Sequence, residues 1–353
     1  MFKSLWMCMI LSLVVLFPII CRGETPLQPP PGENEPTKYR TAATYSNRRN
    51  GFAVLVQKDG RIVFEDYHTE IRYAPFLNKG TPEKAHRLAS GTKSFWGVAA
   101  AAAVMDGLFT FDERVSDTIT EWKSDPRKSK ITVRQLLTLT SGIEAGAPKE
   151  PLSTYLEAIA AKASHEPGDF FQYGGVPFQI FGEFMRRKLA PAGQSPLDYL
   201  MRRVLRPIGL NVAEWRLDED GNPHMPSGAF LTAREWAKFG QFILNKGRWD
   251  GRTIIEESIL DECFKGSETN HSYGLTFWLN KPGTIVRGGS WSPVPYTPIL
   301  PDIVPDMIMA LGHGKQRLYI IPSKNMVIVR FGESEHPFWK DADFLKLIFA
   351  NAD

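Results

Sequence analysis

Ser90-Gly91-Thr92-Lys93 sets a hydroxyl and an amine three residues apart at the head of an apolar run, Phe95-Trp96-Gly97-Val98 and then Ala99 to Ala103. In a helix, residues at this spacing share a face, about 4.5 Å apart along the axis. A serine hydroxyl is too weak an acid to attack a carbonyl unaided, and an adjacent amine can take its proton. Apolar surroundings would strip Lys93 of hydration, lower its pKa and leave a neutral base. Free backbone N–H groups at the helix start would stabilise an oxyanion formed on attack. The chemistry implied is acyl transfer through a Ser-x-x-Lys pair. The same short pattern recurs by chance on solvated helix faces, so its weight comes from the apolar setting.

Two further stretches carry polar groups at structural transitions. Phe170-Phe171-Gln172-Tyr173-Gly174-Gly175 precedes a helical run from Val176 to Leu189. Taken alone, a tyrosine there reads as a core aromatic with its hydroxyl satisfied. Gly312-His313-Gly314-Lys315-Gln316 precedes a strand, Arg317 to Ile321, and alone reads as a glycine turn into an edge strand.

The elements that must position these groups follow from periodicity. Phe52 to Gln57 and Arg61 to Tyr67 are β-rich runs around Asp59-Gly60, a hairpin signal. The Ser90 helix stops near Asp106-Gly107, and the chain then reads mainly helical to about residue 272. Thr132-Val133-Arg134-Gln135 and Thr232-Ala233-Arg234-Glu235 have capping-box form, and Ser195-Pro196 starts another helix. Arg317 to Ile321 and Met326 to Phe331 flank a turn at Pro322 to Asn325, and Phe338 to Ala350 reads as a closing helix. Strands at both ends with helices between predict an α/β (α+β) lobe over about 45–110 and 273–353, carrying an inserted all-helical lobe over about 111–272. Lys281 to Asp306, with six prolines, Trp291 and Tyr296, predicts a long irregular loop.

Composition narrows the class. The chain has 353 residues, 43% hydrophobic and 23% charged, with net charge +3, which describes a globular protein with a large core. No clustered basic stripe with interleaved aromatics supports nucleic-acid binding. Residues 1–23 pair Lys3 with an apolar stretch from Leu5 to Cys21 and a small residue at Gly23, the form of a secretory signal peptide. Cleavage there predicts export to a periplasmic or extracellular space, and an uncleaved leader would instead anchor the chain to a membrane. Residues 24–44, rich in Pro, Glu, Thr and Asn, predict a flexible tether. Cys263 stands alone beyond the leader, and no His-x-x-x-His pair occurs, so neither a disulfide framework nor a zinc site is predicted. No Gly-x-Ser-x-Gly elbow is present either.

Ser-x-x-Lys, then a tyrosine motif inside a helical insert, then a His/Gly motif on a late strand resembles the serine β-lactamase and penicillin-binding-protein superfamily. The branch it resembles holds class C β-lactamases, D-Ala-D-Ala carboxypeptidases, esterases and 6-aminohexanoate-dimer hydrolases. Gln135 to Gly142, Pro167-Gly168-Asp169-Phe170, Leu231 to Arg234 and Ser272-Tyr273-Gly274-Leu275 add to the likeness, which runs from about Tyr45 to the C-terminus. The resemblance implies a β-lactamase-like fold, Ser90 as nucleophile, Lys93 as its base and Tyr173 as proton shuttle. It implies His313 as the polar member of the third motif, in the register that sets Lys315 in the family glycine's place, and the backbone N–H groups of Ser90 and Gln316 as the oxyanion hole. The other register of that motif makes Gly314 that glycine and leaves Gly312 in place of the family's Lys or His. It implies no metal or organic cofactor, and a small ester, amide or peptide-like substrate.

Departures from the pattern shape the expected activity. Gly175 stands where lactamases of the family carry an asparagine that grips the substrate amide, and Leu139 stands where many relatives carry histidine. The expectation is therefore an exported serine hydrolase acting on an ester or amide through an acyl-serine intermediate. The alternatives are a β-lactamase or D-Ala-D-Ala carboxypeptidase, and a penicillin-binding-like module acylated or liganded without turnover.

Overall fold

In a computed structural model of the chain, residues 35–68, 80–146, 153–286, 292–333 and 335–349 are described. The signal peptide expected over 1–23 and Trp291 of the proline-rich loop lie outside them. Six strands form the main sheet and are numbered in chain order: β1 (Gly51–Lys58), β2 (Arg61–Tyr67), β3 (Trp278–Leu279), β4 (Ile308–Gly312), β5 (Gln316–Ile321) and β6 (Met326–Gly332). Their spatial order is β2-β1-β6-β5-β4-β3, every neighbour antiparallel. The β1–β2 hairpin turns through Asp59 and Gly60, both at positive φ, which matches the right-handed twist of the strands it joins.

Alternation along β6 separates the two layers that cover this sheet. Phe331 faces a helix over Ala233–Leu244, its ring stacked on Trp236 at 5.6 Å. Tyr319 of β5, in register with Ile328, lies against Phe344 of the C-terminal helix at 6.2 Å on the opposite side. That side is also covered by an N-terminal helix, α1 (Glu35–Asn47). The helix after Ser90 is α2 (Lys93–Met105), the one after Tyr173 is α3 (Val176–Leu189), the one carrying Trp236 is α4 (Ala233–Leu244), and the closing one is α5 (Asp341–Phe349).

Three boundaries differ from the sequence reading. Residues 35–44 belong to α1 instead of a tether. Tyr39, Ala42 and Ala43 are buried with Ser46, at i, i+3, i+4 and i+7, a face too small and polar to announce itself. Helix α4, placed by sequence in the helical lobe, packs on the sheet. The proline-rich loop contains a short antiparallel pairing of Gly283–Ile285 with Val294–Tyr296. The capping box at Thr132 is complete, whereas at Thr232 only half forms, because Glu235 accepts from the Asn211 backbone at 2.8 Å instead.

Candidate active site

Ser90 sits in a 3-10 turn, Ala89–Thr92, between a short strand and α2. The strand, His86–Arg87, pairs with Ala229–Leu231, and Leu88 N–H donates to Ala229 O at 2.9 Å. Sequence reasoning missed this small sheet, whose strands are too short to show a period. Ala89 is at φ +48, so the chain enters the turn through a conformation that non-glycine residues seldom adopt. The turn delivers Ser90 to the head of α2 with Lys93 one turn on.

Lys93 Nζ lies 2.9 Å from Ser90 Oγ and donates to the Pro226 carbonyl at 3.2 Å. Its amine also stands over the rings of Tyr173, at 5.0 Å from the centroid, and Phe178, at 5.4 Å. Lys93 is only 4% exposed, and among the described residues no ion pair includes it. Burial without a carboxylate penalises the ammonium and pulls Lys93 down to about 7. At neutral pH a large fraction is therefore free amine, and the 2.9 Å contact can run the other way, with Ser90 O–H donating.

Tyr173 is fixed through its main chain. Its N–H donates to Val286 O at 2.6 Å, and Gln172 N–H donates to Leu139 O at 3.0 Å. Leu139 holds φ +60, a strained setting for a leucine that costs about 1–3 kcal/mol. On the other side a Cβ on Gly174 would meet Ala145 O at 2.1 Å, so only glycine allows this approach. Gly175 then caps α3, and its N–H donates to Ala145 O at 3.0 Å. The Tyr173 ring packs against Trp278 at 5.3 Å and edge-on to Tyr273 at 5.9 Å, and Tyr296 extends this wall from Trp278 at 5.6 Å.

The third motif differs from the expectation. The His313 side chain is 80% exposed, with Nδ1 3.6 Å from Glu335 Oε1, so it turns to solvent at the end of β4. Gly314 N–H donates to Glu335 at 3.2 Å and is spent there. Gln316, expected to lend its N–H to an oxyanion, opens β5 in register with Gly312. Its side chain brackets Gly332, donating to the Gly332 carbonyl and accepting from Gly332 N–H at 3.1 Å. The sheet has claimed it.

What approaches Ser90 is the end of β4 itself. A Cβ on Gly312 would meet Leu88 O at 2.1 Å, so the strand tip abuts the chain entering the serine turn. Gly312 is extended, with ψ 158, and its carbonyl accepts from Arg317 Nη1 at 3.2 Å. The N–H of that same peptide, His313 N–H, points the opposite way, toward the edge of β4. Beyond Met309, which is in register with Trp278, β3 no longer pairs with β4, and among the described residues no other strand covers that edge. The sequence reading seeks the strand's main-chain donor three residues further on, at Gln316.

Cys263 is fully buried, and burial pushes its thiol well up, which leaves it inert packing. Among the described residues no helix is long and apolar enough to cross a membrane.

A strand-flanked Ser-x-x-Lys helix facing a tyrosine and the tip of an antiparallel sheet defines the serine hydrolase class with the β-lactamase fold. The beta-lactamase family profile matches residues 37–350, and the chain belongs to that family. Protein flp of Staphylococcus aureus is 23% identical over 197 residues, covering 49% of this chain. The chain spans about a third of that relative's length, 36%. A penicillin-binding protein homologue from Caulobacter crescentus superposes with TM-score 0.66 at 17% identity, covering 89% of this chain and 96% of the other. EstCE1, described as a hydrolase with promiscuous acyltransferase activity, gives TM-score 0.65 at 14% identity over 88% and 96%. Identities this low speak for the fold alone.

Proposed function

We propose that this protein is an exported serine hydrolase that cleaves an ester or amide through an acyl-Ser90 intermediate. The observation that carries the reading is the 2.9 Å contact between Ser90 Oγ and a buried Lys93 held at about 7. Neutral Lys93 takes the Ser90 proton as Oγ attacks the carbonyl carbon. Negative charge then builds on the carbonyl oxygen, which Ser90 N–H and His313 N–H would stabilise. Collapse of that intermediate expels the alcohol or amine, protonated through Lys93 and Tyr173. Water, deprotonated by the same pair, releases the acid and restores Ser90.

Substrate class follows from what the site offers. Gly175 has no side-chain amide to hold a β-lactam's acylamino group, and losing such a hydrogen bond costs about 1–3 kcal/mol. Half-buried Tyr173 and Tyr296, each packed against buried Trp278, offer aromatic surface instead. Short-chain aryl esters are therefore the favoured probes over cephalosporins. Comparing kcat/KM for a 4-nitrophenyl ester and a chromogenic cephalosporin on one preparation tests this. A clear preference for the cephalosporin would establish the lactamase reading. Acylation of Ser90 by penicillin without turnover of either would establish a binding module. Export rests on the leader at 1–23, and N-terminal sequencing from a bacterial host should find a chain starting near Glu24.

A further inference from the structure

Behind the strand tip that faces Ser90 lie two buried arginines that the hydrolytic reading leaves unexplained. Arg317 on β5 and Arg330 on β6 stand directly opposite each other in register, 6% and 0% exposed. Like charges in facing positions repel, and a guanidinium is expensive to desolvate. Among the described residues one carboxylate is paired with them: Asp341 at the start of α5 accepts from Arg317 Nε at 2.6 Å. Among the described residues no ion pair includes Arg330, and Glu335, the other carboxylate it feels, is joined to Lys315 at 2.7 Å. Burial and the neighbouring Arg317 hold Arg330 down to about 9, still charged at neutral pH. Burial also opposes ionisation of Asp341, yet Arg317 and the Tyr319 hydroxyl keep it anionic at about 2. The cluster therefore keeps a surplus positive charge.

Their donors converge on the turn after β4. Arg317 Nη1 donates to Gly312 O at 3.2 Å and Gln316 O at 3.0 Å. Arg330 Nη1 donates to Gly314 O and Lys315 O, each at 3.0 Å. Arg330 is braced by Ser46 Oγ at 3.0 Å and Arg49 O at 2.8 Å at the end of α1, and lies over the Trp339 ring at 4.3 Å. Four carbonyls between Gly312 and Gln316 thus accept from two guanidiniums. One of them, Gly312 O, shares its peptide with His313 N–H. A cation on a peptide carbonyl draws density from its N–H and makes it a stronger donor.

We propose that Arg317 and Arg330 are positioning residues that hold and polarise the His313 N–H, supplying from behind the strand the positive field that the solvent-turned His313 side chain does not. They never touch substrate. The inference rests on the reading of His313 N–H as an oxyanion donor.

The test uses the full chain with Arg330→Met and Arg317→Lys, the latter keeping the charge and losing the fork. Three quantities are compared with wild type: the rate of Ser90 phosphonylation by a fluorophosphonate, the affinity for phenylboronic acid, and kcat and KM for 4-nitrophenyl acetate. In folded Arg330→Met, phosphonylation rate, boronate affinity and kcat should fall together by about 10-fold or more, with KM within about twofold. Arg317→Lys should show a smaller loss in the same three quantities. A merely structural role would lower the melting temperature and leave boronate affinity and phosphonylation rate at wild-type values, which would overturn the proposal. If Arg330→Met does not fold, Arg317→Lys decides by the same criteria. Gly312→Ala separates the two levels: if it leaves those rates intact, the oxyanion reading fails irrespective of the arginines.

Discussion

Lys93 Nζ is held between Ser90 Oγ at 2.9 Å and the Pro226 carbonyl at 3.2 Å, with two aromatic rings beside it and, among the described residues, no carboxylate paired with it. A carboxylate would have kept the lysine charged. A neutral carbonyl fixes its position while burial removes its proton near neutrality. The burial that holds the amine at the serine is the same burial that lowers its pKa.

The pH dependence follows. With Lys93 at about 7, kcat/KM should rise with pH through a midpoint near that value and level off above it. Lys93→Arg, which cannot supply a neutral base, should lose about 10²–10⁴-fold and show no such limb. A wild-type profile flat from acid to neutral pH would rule out Lys93 as the titrating base.

Stability carries the same signature with a definite sign. Between about 7 and the usual lysine value of 10.5, the unfolded chain binds the proton that the folded chain has shed, so this group makes stability rise with pH. Below that window both states are protonated and the folded state bears the full cost of a buried charge. Lys93→Met should therefore melt above wild type, with the gap wider at pH 6 than at pH 9. An equal gap at both values would mean that Lys93 keeps its ordinary pKa.

The tip of β4 can be probed by main chain and side chain separately. Gly312→Ala places a methyl 2.1 Å from Leu88 O and must push the strand away from the serine turn. Its kcat should fall by about 10²-fold, the usual cost of losing one oxyanion donor. His313→Ala removes a side chain that is 80% exposed and should stay within about twofold of wild type. Steady-state kinetics of the two variants decides, and the reverse order would return the role to the imidazole.

These contrasts mark what the sequence disclosed. The proximity of Lys93 to Ser90 was legible because one helical turn converts their spacing into a 2.9 Å contact, and Tyr173, brought beside Lys93 by the fold, could be singled out by its motif alone. The third motif was legible as a place but not as a register. On the proposed reading its working group is a main-chain N–H, and pleating, sheet order and Arg317 determine which peptide turns away from β5. The strands around the hairpins were evident as β-rich runs flanking turn residues, whereas α1 was hidden because two alanines, a tyrosine and a serine make its buried face. Helix α4 was evident as a helix, but nothing in its periodicity said which lobe it would cover.

Tyr173 offers a test of the proton path. Tyr173→Phe keeps the ring packed on Trp278 and beside Lys93, and removes only the hydroxyl. Turnover of an aryl ester should drop by about 10²-fold with the melting temperature nearly unchanged. Unaltered kcat would make Tyr173 a packing residue.

The central claim is that Ser90 is the nucleophile. Incubating the protein with a fluorophosphonate and mapping the adduct by mass spectrometry tests it without knowledge of the natural substrate. The account predicts one phosphonyl group per chain on the peptide holding Ser90, no labelling of Ser90→Ala, and a labelling rate that rises with pH through about 7 as Lys93 loses its proton. Modification of another residue, or equal labelling of Ser90→Ala, would contradict it.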